Sequence, residues 1–301
     1  MPVVLIFIDG LGIGTRGPQN PLARLAPEVA APLAVFEDEE PALPFAGVLA
    51  RTDACLGVAG RPQSASGQTT ILTGVNAPAA LGQHKQGFPN ERLREIIREH
   101  SIFLRLQRAG VGPNVFLNTY GDSFFETRPR WVAATTVAVE AAGMEFKRMD
   151  DLRHARSLFH DFTNNALRAH GDMEIPSRTP EEAAEILARV AALHQFTLYE
   201  YFITDRMGHL QDMEGALAVL AGLARFVRAA LARIDLSRTT LLLTSDHGNV
   251  EDLSTRNHTL NLVPTLSWGA ARERVRQRVS TLADIAPVIY EILTTRAATQ
   301  I

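Results

Sequence analysis

The first apolar run of the chain, Val3 to Ile8, is uninterrupted and rich in β-branched residues, the pattern of a strand buried on both faces of a parallel sheet. It stops at Asp9, and the loop Gly10-Leu11-Gly12-Ile13-Gly14 follows. An acid and a flexible loop therefore fall at a strand's carboxyl end, where open α/β sheets hold their chemistry. Similar runs recur at Asn114 to Leu117, at Phe196 to Ile203 leading to Asp205, and at Thr239 to Leu243 leading to Asp246-His247-Gly248. A last strand is expected near Leu262 to Leu266, after Asn257-His258-Thr259.

Helical patterns separate these runs. Ser66 to Leu72 reads as the first turns of a helix with Ser64 at its N-terminus. Asn90 to His100 and Ser101 to Ala109, closed by Gly110, read as two more. Thr179-Pro180-Glu181-Glu182 is a capping box with proline at the first helical position, opening a helix to His194. Met213, Leu217, Leu220, Leu223, Val227 and Leu231 recur at helical spacing and predict a long helix packed on the core. A closing helix begins at Thr281, with Asp284 three residues on and Pro287 early. Pro18 to Pro44 reads as loops and a short helix, with Glu37 to Glu40 on a solvated face. From Tyr120 to about Arg178 no long strand alternates with a long helix, and this stretch reads as an inserted cap. The expectation is an α/β fold with a mostly parallel central sheet: a core of residues 1–118 and 179–301, and a small cap of residues 119–178.

Composition narrows the function. Thirty Lys and Arg against 33 Asp and Glu, with no basic block, exclude a nucleic-acid or anionic-membrane surface as the main partner and point to a small-molecule substrate. The lone cysteine, Cys55, forms no internal disulfide and no zinc-finger or redox pair; it reads as a small core residue in a protein of the reducing cytosol. The run Val3 to Ile8 is too short and lacks the basic flank of a signal peptide, and no other stretch is expected to approach a membrane span. Gly10, Gly12 and Gly14 do not satisfy G-x-G-x-x-G, so no nucleotide cofactor is expected.

The chemistry lies in a convergence. Asp9, Asp205 with His209, Asp246 with His247, and His258 all fall at or just beyond strand ends, which parallel strands bring to one edge. Taken singly, Asp-x-x-x-His or Asp-His-Gly is as readily a polar turn, and a serine before a helix is as readily a cap. Together they form a carboxylate–imidazole set large enough for two ions, suited to manganese or zinc rather than calcium. Two such ions polarise a phosphoryl oxygen and activate a nucleophile, for which Ser64 is the candidate.

Phe7-Ile8-Asp9-Gly10, Gln63-Ser64-Ala65-Ser66-Gly67-Gln68-Thr69, Asp205-Arg206-Met207-Gly208-His209, Ser245-Asp246-His247-Gly248-Asn249 and Asn257-His258-Thr259 resemble, in order, the motifs of the alkaline phosphatase superfamily. The resemblance is to its branch of cofactor-independent phosphoglycerate mutases and phosphopentomutases, and Asp284-Ile285-Ala286-Pro287 is similar to that branch's last helix. It implies a three-layer, alkaline-phosphatase-like sandwich. It also implies one metal held by Asp205, His209 and His258, and another by Asp9, Asp246, His247 and the Ser64 oxygen. The implied activity is phosphoryl transfer through phosphorylated Ser64.

Three departures bear on the activity. Gln68 stands where the mutases have histidine, Gln63 stands where they have Asn or Asp, and the cap is much shorter than the phosphoglycerate mutase insertion. Together they weigh against mutase activity, and the short cap favours hydrolysis of a small phosphate ester or diester; a mutase stays the alternative, as does a non-catalytic metal-binding or scaffold member of the fold. Ser64-Ala65-Ser66-Gly67-Gln68 lacks the proline and arginine a sulfatase nucleophile needs. Asn76, His84, Lys85, Arg128 and Arg130 are the candidate substrate contacts. His100, His154, His160, His170 and His194 have no partner motif and read as structural or exposed.

Overall fold

Successive residues of a strand face opposite sides of its sheet, and the first strand, β1 (Val3–Ile8), shows what this does to the fold. Val4, Ile6 and Ile8 pack into one apolar cluster, and Val3, Leu5 and Phe7 into another on the opposite face. In the computed structural model, which describes residues 1–295, β1 lies inside a six-stranded sheet of order β2-β6-β5-β1-β4-β3. The other strands are β2 (Val48–Thr52), β3 (Asn114–Phe116), β4 (Phe196–Tyr201), β5 (Thr240–Ser245) and β6 (Val263–Gly269). β3, β4, β1 and β5 run parallel; β6 pairs antiparallel with both β5 and β2.

One face is covered by the helices Pro180–Ala191 and Met213–Arg233, which pack on each other and, through Leu187, Leu220, Leu223 and Val227, on β1, β4 and β5. The predicted capping box at Thr179 is present, with the Thr179 hydroxyl accepting from the Glu182 amide and the Glu182 carboxylate from the Thr179 amide. By composition and length Met213–Arg233 is apolar enough to span a membrane. This corrects the expectation that no stretch comes close. Half of its most apolar window is buried against the protein core.

The other face carries the helices Ser64–Thr73, Ile102–Arg108, Ala134–Ala141 and Ile285–Thr294. Two layers of helices thus enclose the sheet, as the sandwich architecture requires. Ala134–Ala141 falls in the stretch expected as a cap, yet it packs on Ser64–Thr73, on Ile102–Arg108 and on the Glu91–His100 helix. Isolated bridges from Asn118 to Leu158 and from Thr119 to Lys147 tie the same stretch to the end of β3.

Other differences from expectation are local. The strand β2 was not foreseen; it is short, carries Arg51, and becomes a strand by pairing with β6. The strand expected to run to Ile203 ends at Tyr201, and Asp205 lies in a helix, Ile203–Leu210. Cys55 is half-buried rather than in the core, because Asp53 accepts from the Cys55 and Leu56 amides and holds the chain in a surface turn.

Candidate metal centre

The helix carrying Ser64 opens on small residues, Ser64-Ala65-Ser66-Gly67, which let its backbone approach the sheet edge. A Cβ on Gly67 would come within 2.9 Å of Asp246 Cβ, so only glycine allows this approach. The buried hydroxyls do not go unsatisfied. Thr69, Thr70 and Thr73 donate to the carbonyls of Ala65, Ser66 and Thr69 at 2.7, 2.9 and 2.7 Å. The helix closes on Gly74 at φ 77°, leaving Ser64 as its first residue.

Six donors expected from the sequence meet there in two sets, Asp9 with Asp246 and His247, and Asp205 with His209 and His258, each with ligand atoms within 4.8 Å of one another. Asp9 follows β1, and Asp246 and His247 follow its neighbour β5. Asp205 and His209 lie four residues apart in their helix, the spacing that puts two side chains on one helical face. A Cβ at Gly208 would lie 2.4 Å from Asn249 Oδ1, so glycine there lets the helix pack on the loop after β5.

In the first set, His247 Nε2 is 3.2 Å from Asp9 Oδ1, 3.6 Å from Asp246 Oδ2 and 3.0 Å from Ser64 Oγ. In the second, His209 Nε2 is 3.2 Å from Asp205 Oδ2, and His258 Nε2 is 3.5 Å from Asp205 Oδ1. His209 Nδ1 donates to the Arg256 carbonyl and His258 Nδ1 to the Pro62 carbonyl, both at 2.8 Å. With Nδ1 holding the proton, each Nε2 is left as a lone pair facing Asp205. His247 and His258 stack with centroids 3.6 Å apart, so the two sets share a wall.

The electrostatics show what the donor set suits. Burial lifts the Asp9 carboxyl above its ordinary range, and lifts Asp246 well above it with the help of the Asp9 charge. Burial alone would lower His247, but Asp246 and Asp9 outweigh it and push the imidazole up to about 10. Burial, and then the neighbouring His247 charge, push His258 down to about 4. Asp9 Oδ1 is buried without a well-formed hydrogen bond. Two buried carboxyls crowded around one imidazole, an Asp9 oxygen without a well-formed hydrogen bond, and two further imidazole nitrogens turned toward Asp205 make a donor set that divalent cations fit.

Residues without an assigned role in the sequence reading hold this set in place. Gln68 Nε2 donates to Asp9 Oδ2 at 3.2 Å and to Asp246 Oδ2 at 3.3 Å, so the residue that departs from the mutase motif touches both buried acids. Asn249 Nδ2 donates to Asp205 Oδ1 at 2.6 Å. The buried Glu251 carboxylate accepts from the Gly12 and Asn249 amides at 2.8 and 2.7 Å, from the Thr259 hydroxyl at 2.5 Å and from Asn261 Nδ2 at 3.0 Å, clamping three loops together. An acidic pair, Glu251-Asp252, directly after Asn249-Val250 was its only trace in the sequence.

None of the five expected substrate contacts lines the cavity beside Ser64, although the Lys85 backbone exchanges hydrogen bonds with Ser66 and Pro129 and Trp131 beside Arg130 do line it. Asn76 caps a short helix through the Ala79 amide and donates to the Leu56 carbonyl. His84 is bonded to the Val58 carbonyl, and Lys85 Nζ to the Gln86 carbonyl. Arg128 pairs with Glu140, and Arg130 stacks on Trp131 at 5.1 Å. The charges are spent on local partners. A cavity of about 720 Å³ opens instead beside Ser64, Gln68, Asp9, Asp205 and His209, and Arg206 is its one Lys or Arg among the described residues. His160, expected to be structural or exposed, lines this cavity and stacks on Phe202 at 4.7 Å. Burial holds its pKa below the ordinary imidazole value.

Comparison with known proteins agrees with this geometry. Residues 169–297 match the model of the Metalloenzyme superfamily, a stretch that includes Asp205, His209, Asp246, His247 and His258. The 2,3-bisphosphoglycerate-independent phosphoglycerate mutase of Dinoroseobacter shibae is 29% identical over 126 residues, which is 39% of this chain and 25% of that protein. The curated mutases it resembles are thus matched over about a quarter of their length. Among solved structures, a Pyrococcus horikoshii protein superposes with a TM-score of 0.55 at 13% identity, over 98% of both chains. A cold-active alkaline phosphatase from a psychrophilic Shewanella superposes with a TM-score of 0.53 at 11% identity, over 98% of this chain and all of that one. The chain thus matches the Metalloenzyme superfamily model over residues 169–297, is similar there to phosphoglycerate mutases, and shares its overall fold with an alkaline phosphatase.

Proposed function

We propose that this chain is a metal-dependent phosphoric ester hydrolase acting on a small phosphorylated molecule through a Ser64 phosphoenzyme. The observation that carries the reading is the meeting of both donor sets with the Ser64 hydroxyl, 3.0 Å from His247 Nε2. Asp9, Asp246 and His247 would hold one ion and Asp205, His209 and His258 the other; the mixed carboxylate–imidazole set suits manganese or zinc. Bound there, the ions would supply Lewis-acid stabilisation of phosphoryl charge and lower the pKa of the serine hydroxyl.

The chain's own residues do the rest. As the first residue of a ten-residue helix, Ser64 presents its hydroxyl where backbone amides and the helix dipole favour a phosphoryl group. Its Oγ attacks phosphorus, the bond from phosphorus to the alcohol oxygen breaks, and the serine proton balances the charge of the departing alkoxide. Water then cleaves the phosphoserine to phosphate and free serine. Gln68 fixes the carboxylates of Asp9 and Asp246 through both steps, and Glu251 fixes the loops that carry Asn249 and Thr259.

A mutase would return the phosphoryl group to the bound alcohol instead, a reading favoured by the similarity to phosphoglycerate mutases. The family match at residues 169–297 contains neither Ser64 nor the cavity wall from Phe116 to Thr136, so it favours the metal centre more than the choice of substrate. Replacing Ser64 by Ala tests the reading: turnover of an aryl phosphate should fall by at least about 10³-fold while two ions per chain are retained. Near-normal turnover by the variant would remove the phosphoenzyme.

A further inference from the structure

The cavity beside Ser64 is walled by Phe116, Tyr120, Phe124, Phe88, Trp131 and Phe202. Tyr120 and Phe124 are fixed by mutual packing and by Phe146, with centroids 4.6 to 5.6 Å apart. At the mouth, Trp131, Phe88 and Phe202 are 53%, 48% and 40% exposed, a ring of aromatic surface left to water. Such surface around a concave site is what a ligand covers.

One ionisable group on the sheet faces this cavity. Glu200 stands fifth in the run Phe196-Thr197-Leu198-Tyr199-Glu200-Tyr201 and, by the alternation of a strand, shares the face of Phe196 and Leu198. It is 7% exposed and lines the cavity. The Thr135 hydroxyl donates to Oε2 at 2.7 Å, and among the described residues no donor reaches Oε1. Its backbone is pinned on both sides by Asn118, which donates to the Glu200 carbonyl at 2.7 Å and accepts from its amide at 2.9 Å. Burial, together with the charge of Asp9, raises the carboxyl to about 7 in spite of Thr135. A second anionic group on the substrate would meet this acid with Arg206 as the cavity's one compensating cation. A small polyanion of the phosphoglycerate type is therefore poorly matched to the cavity.

We propose that the cavity is the subsite for the alcohol part of the substrate, and that it takes an aromatic group bearing a hydrogen-bond donor, which Glu200 accepts. The proposal rests on the phosphoryl-transfer reading for the position of the phosphate, and on the cavity alone for the rest of the ligand. Glu200 sets specificity; it does not touch the reacting phosphorus.

The test uses the full chain loaded with manganese or zinc and three esters: 4-aminophenyl phosphate, phenyl phosphate and glycerol 2-phosphate. The expected order of kcat/KM is amino-aryl over aryl by about tenfold and aryl over glycerol by about tenfold or more, each step worth about one good contact. Glu200→Met should erase the first step. Should that variant fold poorly, Trp131→Ala at the exposed mouth should raise KM for phenyl phosphate more than for glycerol 2-phosphate. Separately, 4-aminophenol should quench Trp131 fluorescence in the metal-free protein, and Glu200→Met should weaken that binding about tenfold. Quenching without turnover of any ester would sustain the subsite and remove the phosphatase reading. Turnover with equal kcat/KM for all three esters, and no quenching, would overturn the subsite and leave the phosphatase reading standing.

Discussion

The two donor sets have the same kinds of ligand but different surroundings. Asp9, Asp246 and His247 are buried, whereas the second set has half-exposed His209 at its edge and Asp205 partly open to solvent. The deep set holds two carboxyls whose charge burial opposes, with His247 as the nearest source of compensation. The rim set is held from outside, each histidine by one carbonyl and Asp205 by Asn249. A cation in the deep set relieves a large desolvation cost, and one at the rim relieves a smaller one. The deep ion should therefore be integral to the fold, and the rim ion should exchange.

The largest expected effect comes from breaking the deep set. Asp246→Asn removes a fully buried carboxylate, so metal analysis should find the deep ion lost and turnover reduced by at least about 10³-fold. Retention of two ions per chain by this variant would contradict the division into deep and rim sites. Next in size is a carboxyl belonging to neither set. Glu200 is held near 7 when folded against an ordinary value of 4.5 when unfolded, so the folded state keeps a proton that the unfolded chain releases. Stability then falls as pH rises through that window, by about 3 kcal/mol for this group. Glu200→Gln, keeping the Thr135 bond without the charge, should gain that amount over the parent between pH 4 and pH 8 in denaturant melts of metal-free protein. Parallel curves for the two proteins would show that Glu200 ionises freely. The smallest effect is expected at the rim: His209→Ala should weaken the second ion by about 10- to 100-fold and leave the deep ion and the melting temperature nearly unchanged.

The same contrast marks what the sequence could reveal. Asp9, Asp246 and His247 were legible because they fall at or just past the ends of strands marked by short apolar runs, Val3 to Ile8 and Leu241 to Leu243. Asp205 and His209 were found by motif, but their helix was not, since the chain turns from β4 into a helix at Phe202 with no glycine or proline to signal it. The strand β2 has five residues and exists through its pairing with β6, which local pattern does not encode. The local partners of the cationic candidates could not be read from the sequence, because long charged side chains take the nearest acid, carbonyl or ring, as Arg128 takes Glu140 and Arg130 takes Trp131. Glu200 was visible as one acid in an otherwise apolar and aromatic strand, and a charge in such a run is the signal to pursue.

The most direct test of the central claim is to mix manganese- or zinc-loaded protein with phenyl phosphate, quench in acid within the first turnovers, and map the phosphorylated peptide by mass spectrometry. The account predicts a phosphoryl group on Ser64, absent when the metal is stripped before mixing. Metal-dependent release of phosphate with no label on Ser64, or with label on another residue, would contradict it.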